Sequence, residues 1–188
     1  MKKFISMLLA LVMVFSLTAC GGNANAETEA PAEAPAAQPL AGTLEELLNQ
    51  VVEINPVEFM GGVMPVDVTD TTEDGLANLK YFTGLESNEG ITEAAVFEPM
   101  MGSIAFSMVM VRFDETKDSQ TVAEAMKAGI DQRKWICVEA DDLMVASYGD
   151  VVMLIMVASD SGMTAQSYVD AFQTVVNNQY ENAEILVH

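Results

Sequence analysis

Residues 103–113 read Ser-Ile-Ala-Phe-Ser-Met-Val-Met-Val-Arg-Phe, and most of these positions are apolar. In an extended chain, alternate side chains point to opposite faces, so Phe106 and Met108 share one face while Val109 and Val111 share the other. Because both faces are mostly apolar, the segment predicts a central strand that other elements cover on both sides.

Further strands are predicted around this segment from short apolar runs bounded by turn residues. They comprise residues 63–68, 94–97, 143–147 and 151–157. The last two are separated by Tyr148-Gly149-Asp150, which predicts a tight hairpin because Gly149 can adopt a positive φ. Residues 76–82 fit a short helix or a strand equally well.

Three helices are predicted from capping residues followed by apolar positions at helical spacing. Thr43 and Glu46 form a capping box before the first helix, which Pro56 ends. Thr121 and Glu124 form a second box, with a helix expected to run to about residue 134. The last helix is expected to begin at Thr164.

Strands joined by hairpins and separated by helices predict an α+β fold. We expect an antiparallel or mixed sheet of about four to five strands, with about three helices packed on it. Residues 43–188 would form this single domain, which is large enough to fold without a metal ion or a disulfide.

The N-terminal segment has the pattern of an export signal. Lys2 and Lys3 precede an apolar run, residues 4–15, which is too short to span a bilayer. The tetrapeptide Leu17-Thr18-Ala19-Cys20 then resembles a bacterial lipobox. We therefore predict a signal peptide over residues 1–19 and cleavage between Ala19 and Cys20. The alternative is an ordinary secretory signal that happens to end in a cysteine.

Lipid modification of Cys20 would hold the protein on the outer face of the cell membrane. Two acyl chains on the mature N-terminus suffice for stable anchoring. Residues 21–42 are rich in Ala, Pro and Glu, and they contain no large apolar residue before Leu40. Such a segment cannot bury enough surface to offset the entropy of ordering, so residues 20–42 are predicted to be a disordered tether.

The charge of the mature chain restricts its partners. Removal of Lys2 and Lys3 with the signal leaves six cationic residues against 28 acidic ones, a formal charge of −22. Nucleic acids and anionic lipid surfaces would be repelled. Basic peptides, an envelope protein or a cationic wall component remain compatible, although solubility alone also explains an acidic surface.

No catalytic constellation is found, so no enzymatic activity and no cofactor are expected. The single histidine, His188, is the last residue of the sequence, where we expect a frayed end without a role. This disfavours Ser-His and Cys-His sites. Neither a Ser-x-x-Lys spacing nor a phosphate-binding glycine motif occurs. A hydrolase that uses a carboxylate pair stays open as an alternative.

Cys137 lies in an apolar stretch and has no cysteine partner once Cys20 carries lipid. A buried, inert thiol is expected, with a reactive thiol or an intermolecular bridge as alternatives. The 14 methionines are interpreted as core residues rather than as copper ligands, because those of the strands lie among Val, Ile and Phe.

Two groups of charged residues are candidate binding sites. Asp67, Asp70, Glu73 and Asp74 precede Gly75 and could supply oxygen ligands to calcium, although their spacing departs from that of an EF-hand and a solvated loop is the alternative. Arg112, on a strand face, and Arg133, near a predicted helix end, are candidate carboxylate-binding residues. Positive charge at a helix end also complements the helix dipole without any ligand.

The segments Glu93-Ala94-Ala95-Val96-Phe97-Glu98-Pro99-Met100-Met101, residues 131–138 and residues 149–156 resemble a family of lipoproteins of low-GC Gram-positive bacteria. Its members carry a domain of unknown function, and the resemblance covers about residues 76–180. It implies membrane anchoring and an α+β domain but supplies no activity. The leading expectation is thus a lipid-anchored binding module of the cell envelope, with a calcium-binding module as an alternative.

Overall fold

The computed structural model describes residues 38–188, in which six strands and four helices are found. The strands are β1 (Gly61–Pro65), β2 (Ile91–Pro99), β3 (Phe106–Phe113), β4 (Asp142–Tyr148), β5 (Val151–Val157) and β6 (Leu186–Val187). The helices are α1 (Leu44–Ile54), α2 (Glu73–Thr83), α3 (Ser119–Gly129) and α4 (Ala165–Gln179). The predicted α+β class is confirmed, with one strand and one helix more than expected.

All six strands belong to one antiparallel sheet in the order β1-β2-β3-β5-β4-β6. The two middle strands, β3 and β5, pair along their length, with Met108 opposite Ile155 and Val111 opposite Val152. Both strands are buried, so the predicted central strand is confirmed.

Two helices cover each face of the sheet. Helices α1 and α4 pack on the face that carries Met108 and Met110. Helices α2 and α3 pack on the other face, which carries Val109 and Val111. The three layers explain why β3 is apolar on both sides.

Residues 76–82, which fitted a helix or a strand equally well, lie in helix α2. The Thr72 hydroxyl accepts a hydrogen bond from the Gly75 amide at the start of this helix, and Gly84 ends it with a φ of 81°. A positive φ favours glycine at a helix C-terminus. The segment is therefore a helix.

Helix α3 differs from its prediction at both ends. The Asp118 carboxylate caps it by accepting from the amide and the hydroxyl of Thr121, so the predicted cap at Thr121 was wrong. The helix ends at Gly129, whose backbone lies so close to Gly84 that an added Cβ would be 2.0 Å from the Gly84 carbonyl oxygen. Residues 130–141 consequently form a loop.

The sheet has two different ends. At the first, which we name the loop end, lie the segments 55–60, 100–105, 130–141 and 158–164. At the second, which we name the entry end, the β4–β5 turn meets the start of the described chain. There the Leu40 amide donates to Asp150 Oδ1 over 3.0 Å, and Gly149 has a φ of 58° with the Gln38 carbonyl oxygen packed against it.

The packed structure begins earlier than the predicted boundary between tether and domain. Leu40 is only 3% exposed and belongs to the core under α1 and α4. Tyr180 Oη donates to the Pro39 carbonyl, and Gln179 exchanges two hydrogen bonds with the Ala41 backbone. Residues 38–42 are thus part of the fold, whereas the predicted signal peptide and the rest of the tether lie outside the described residues.

Candidate functional site

Exposed apolar side chains gather at the loop end of the sheet. The side chains concerned are Met60, Met100, Met101 and Ile136. The Met100 amide donates to the Met60 carbonyl over 2.9 Å, which joins the segment before β1 to the turn after β2. Ile136, in the 130–141 loop, is 80% exposed. The three methionines thus adjoin one another, and exposed apolar residues grouped on one surface commonly mark interaction sites.

Two clefts open between these loops, one on each side of Ile104. The first, of about 600 Å³, lies between the β2–β3 turn, Cys137 and the segment around Ser159. The second, of about 640 Å³, lies between Phe59 and the start of α4, where Tyr168 contributes to the lining. The loop end therefore combines apolar projections with concave surface.

Acidic side chains surround the same end. The exposed acids there are Glu58, Asp131, Glu139, Asp141 and Asp160. Arg133 is the cation exposed in these loops, and its Nε lies 2.8 Å from Glu139 Oε2. Its predicted role as a ligand-binding residue therefore competes with an ion pair that it already makes within its own loop.

A buried polar cluster lies behind the loop end. Lys134 Nζ lies 2.6 Å from Glu98 Oε1 and 3.1 Å from Ser107 Oγ, and the Ser107 hydroxyl donates to the same carboxylate oxygen. Burial lowers the pKa of Lys134 below the ordinary value of a lysine, although the Glu98 carboxylate acts in the opposite direction. Ser107 is fully buried in the sheet, so this Ser–Lys contact offers no exposed nucleophile.

Arg112 is engaged by contacts within the domain, and these contacts compete with its predicted ligand-binding role. Its guanidinium lies 3.3 Å from Glu93 and 3.2 Å from Asp150, and it donates to the carbonyls of Leu40 and Gly42. Its Nε is buried and makes an ion contact with Asp150 without a hydrogen bond. Arg112 therefore fastens residues 40–42 to the entry end.

His188 is docked rather than frayed, which corrects the expectation from its position. Its Nε2 lies 2.8 Å from Ser147 Oγ and its Nδ1 lies 2.9 Å from Gln120 Oε1. Burial lowers the pKa of His188, Glu124 raises it and Lys127 lowers it further. Although Ser147 and His188 have the contact of a nucleophile and its base, Ser147 is 1% exposed and lines none of the clefts described. The contact holds β6 against β4 and α3.

The acidic segment before α2 is organised by its own threonines. Asp67 accepts from the amide and the hydroxyl of Thr69, and Asp70 accepts from the Thr72 amide. These hydrogen bonds lower the pKa values of Asp67 and Asp70. Within residues 38–188, no three His, Cys, Asp or Glu side chains are placed to hold a metal ion, so Glu73 and Asp74 do not complete a calcium site with them.

Cys137 is exposed, and the expectation of a buried thiol was wrong. Its φ is 66°, a conformation that L-residues seldom adopt. The apolar residues that flank Cys137 suggested burial, but of these only Trp135 and Val138 pack against the core. Ile136 and Cys137 project at the loop end instead.

The sequence did not predict that the exposed apolar residues of the loop end form one surface. Two features of the sequence could have indicated this surface. Met100 and Met101 are adjacent and follow a strand that ends at Pro99, and Ile136 lies beyond the true end of α3, which was predicted too far along the chain. The predicted cleavage and lipidation site at Ala19 and Cys20 lies outside the described residues.

Comparisons with protein-family models, with curated proteins and with solved structures found no match. None of the helices in residues 38–188 has the length and apolar character needed to cross a membrane.

Proposed function

We propose that this protein is a lipid-anchored binding module of the cell envelope, held on the outer side of the membrane through Cys20. Its recognition surface is the loop end, and its partner is a protein segment that carries basic and apolar residues. The observation that carries the proposal is the gathering of Met60, Met100, Met101 and Ile136 at one end of the sheet.

The chemistry of the partner follows from the surface. The four apolar side chains would lose contact with water on binding, which is favourable by about 25 cal/mol per Å² of apolar area. The acids around them favour a basic partner, both in its approach and in its final position. Flexible methionine side chains adapt to partners of varied shape, which suits a surface without deep complementarity.

The position of the chain entry is consistent with this orientation. The described chain begins beside Asp150, at the opposite end of the sheet from the four apolar residues. The two central strands, β3 and β5, are eight and seven residues long, or roughly 25 Å at about 3.4 Å per residue. A tether that joins the domain at the entry end leaves the loop end free.

Binding of a labelled peptide tests the proposal. The full chain in detergent micelles is titrated with a fluorescent peptide of alternating Lys and Leu, at physiological ionic strength, and anisotropy is recorded. A peptide with Ser in place of Leu has the same charge and serves as the control. We expect the Lys/Leu peptide to bind, and the Lys/Ser peptide to bind at least tenfold more weakly, since ~1.4 kcal/mol corresponds to tenfold.

A matched pair of variants locates the surface. Met100→Gln/Met101→Gln removes two exposed apolar side chains from the loop end, and Leu186→Gln/Val187→Gln removes two from β6 near the entry end. The first pair should weaken binding of the Lys/Leu peptide about tenfold and the second should not change it. Equal affinities for all three chains would disprove the assignment of the surface.

A further inference from the structure

The ammonium of Lys134 occupies a fully formed polar site. Three acceptors surround Nζ: Glu98 Oε1 at 2.6 Å, Ser107 Oγ at 3.1 Å and the Tyr81 carbonyl oxygen at 3.5 Å. A lysine ammonium has three donors, so each has an acceptor in reach. The side chain of Lys134 is 1% exposed and that of Glu98 is 13% exposed.

Aromatic rings complete the surroundings of this ammonium. Nζ lies 4.8 Å from the ring centre of Tyr81, 5.4 Å from that of Phe82 and 5.5 Å from that of Trp135. Ring faces attract cations at such distances, and rings grouped around a cation are a general means of binding ammonium ligands. Tyr81 is partly exposed, so the site adjoins the surface.

The groups that surround the Lys134 ammonium lie mostly on helices and strands of the domain, whereas Lys134 itself lies in a loop. Tyr81 and Phe82 lie on α2, Glu98 on β2 and Ser107 on β3. Lys134 lies in the 130–141 loop, together with Trp135.

Trp135, Val138 and Ala140 pack this loop against the core, and its polar attachment to the domain comes from one side chain. The neck of the loop is closed by two hydrogen bonds between Gln132 and Ala140, and Arg133 pairs with Glu139 inside it. In the described part of the chain, the hydrogen bonds and ion pairs that join residues 131–140 to the rest of the domain all come from Lys134. We name residues 131–140 the flap.

We propose that Tyr81, Phe82, Glu98 and Ser107 form a binding site for an external alkylammonium group, which Lys134 occupies in the free protein. In the complex, a lysine side chain of the partner takes the place of Lys134, and the flap moves away. This inference rests on the proposed function, because that function supplies the basic partner.

Exchange of one ammonium for another explains how the site can open. A buried carboxylate that loses its cation is strongly destabilised, so Glu98 must have a cation in both states. The incoming lysine provides it, and contacts of the partner with Met60, Met100 and Met101 offset the cost of moving the flap. Because Lys134 is tethered, its effective concentration at the site is high, and a small free amine should not displace it.

Chemical complementation tests the site in isolation from any partner. Lys134→Ala removes three carbon atoms and the ammonium, which together correspond to n-propylammonium. Trp135 is the only tryptophan of the chain and serves as the fluorescent reporter. We expect n-propylammonium to change its emission in a saturable manner at ~1–10 mM in the full-length variant, and n-propanol to act at least tenfold more weakly.

Two controls make this result specific. The wild-type chain and Lys127→Ala, in which the site stays occupied, should show no saturable response over the same range. Lys134→Ala/Glu98→Gln should lose the preference for the cation over the alcohol. A Lys134→Ala chain that is folded by circular dichroism and shows no such preference would overturn the proposal.

Hydrogen exchange of the wild-type chain gives a second readout that does not require a variant to fold. The Lys/Leu peptide should increase amide exchange in residues 131–140, whereas an Arg/Leu peptide should not, because a planar guanidinium does not replace a compact ammonium. If both peptides bind and the flap stays protected, the exchange of lysines is wrong while the proposed function stands. If neither peptide binds, the proposed function fails and the titration with n-propylammonium still decides the site.

Discussion

Lys134 Nζ and Glu98 Oε1 lie 2.6 Å apart in the interior of the domain, with almost no solvent contact at the lysine. The ion pair joins the 130–141 loop to β2, an inner strand of the sheet, and its two residues are 36 positions apart in the sequence. The chain has 28 acidic residues and only eight basic ones, and one of these few cations makes an internal contact. We expect both the stability of the domain and the position of the flap to depend on this pair.

Removal of one partner of the Lys134–Glu98 pair should lower the stability of the domain more than removal of both charges would suggest. Glu98→Gln and Lys134→Met should each lower the free energy of unfolding by about 3 kcal/mol, because each leaves an uncompensated charge in the interior. The double variant should lose at least about 1 kcal/mol less than the sum of the two. Urea denaturation measures all three. Lys80→Met, which breaks an exposed pair with Glu86, is the control and should leave stability nearly unchanged.

Acidification should weaken the attachment of β6. Burial holds the pKa of His188 below its ordinary value of about 6.5, so the unfolded chain binds this proton more readily than the folded one. Stability should therefore fall as the pH drops from above 6.5 through the lowered pKa. Denaturation at pH 7.5 and 5.5 should show a larger loss for wild type than for His188→Gln. Equal losses would contradict the role assigned to His188.

The segment before α1 should contribute to stability. Leu40→Ala should lower the free energy of unfolding by about 2–3 kcal/mol, the usual cost of truncating a buried leucine. Arg112→Met should expose residues 38–42 to proteases, since the Arg112 guanidinium donates to the carbonyls of Leu40 and Gly42. Leu186→Ala, at an exposed leucine, is the control. A Leu40→Ala chain as stable as wild type would place this residue in the tether.

Thiol counting tests the lipid anchor. A diacylglycerol on Cys20 converts its sulfur to a thioether, so the exported, denatured protein should contain one free thiol per chain, that of Cys137. The native protein should also show one, because Cys137 is exposed. Cys137→Ser should show none. Two thiols in the exported chain, or an intact mass without acyl groups, would exclude the proposed anchoring.

Local signals explain which parts of the fold the sequence predicted. The capping box of Thr43 and Glu46 acts within one helical turn, and the α1 start follows it. The alternating faces of β3 likewise depend only on the strand itself and on its burial on both sides. The fold class followed from such elements.

Contacts between residues distant in sequence explain what could not be predicted. The docking of His188 depends on Ser147, 41 residues away, and β6 is too short to show a pattern. The end of α3 depends on the approach of Gly84 to Gly129, and the error there placed Lys134 on a helix. The loop end itself arises from four segments that only the folded sheet brings together.

Photocrosslinking in living cells tests the central claim most directly. A photoreactive amino acid replaces Met100 or Ile136 at the loop end, and Glu115, which is exposed near the entry end, is the control position. The account predicts that the two loop-end positions give the same crosslinked envelope protein, whose joined segment contains lysine, and that position 115 does not. Equal crosslinking from all three positions, or none from the loop end, would contradict it.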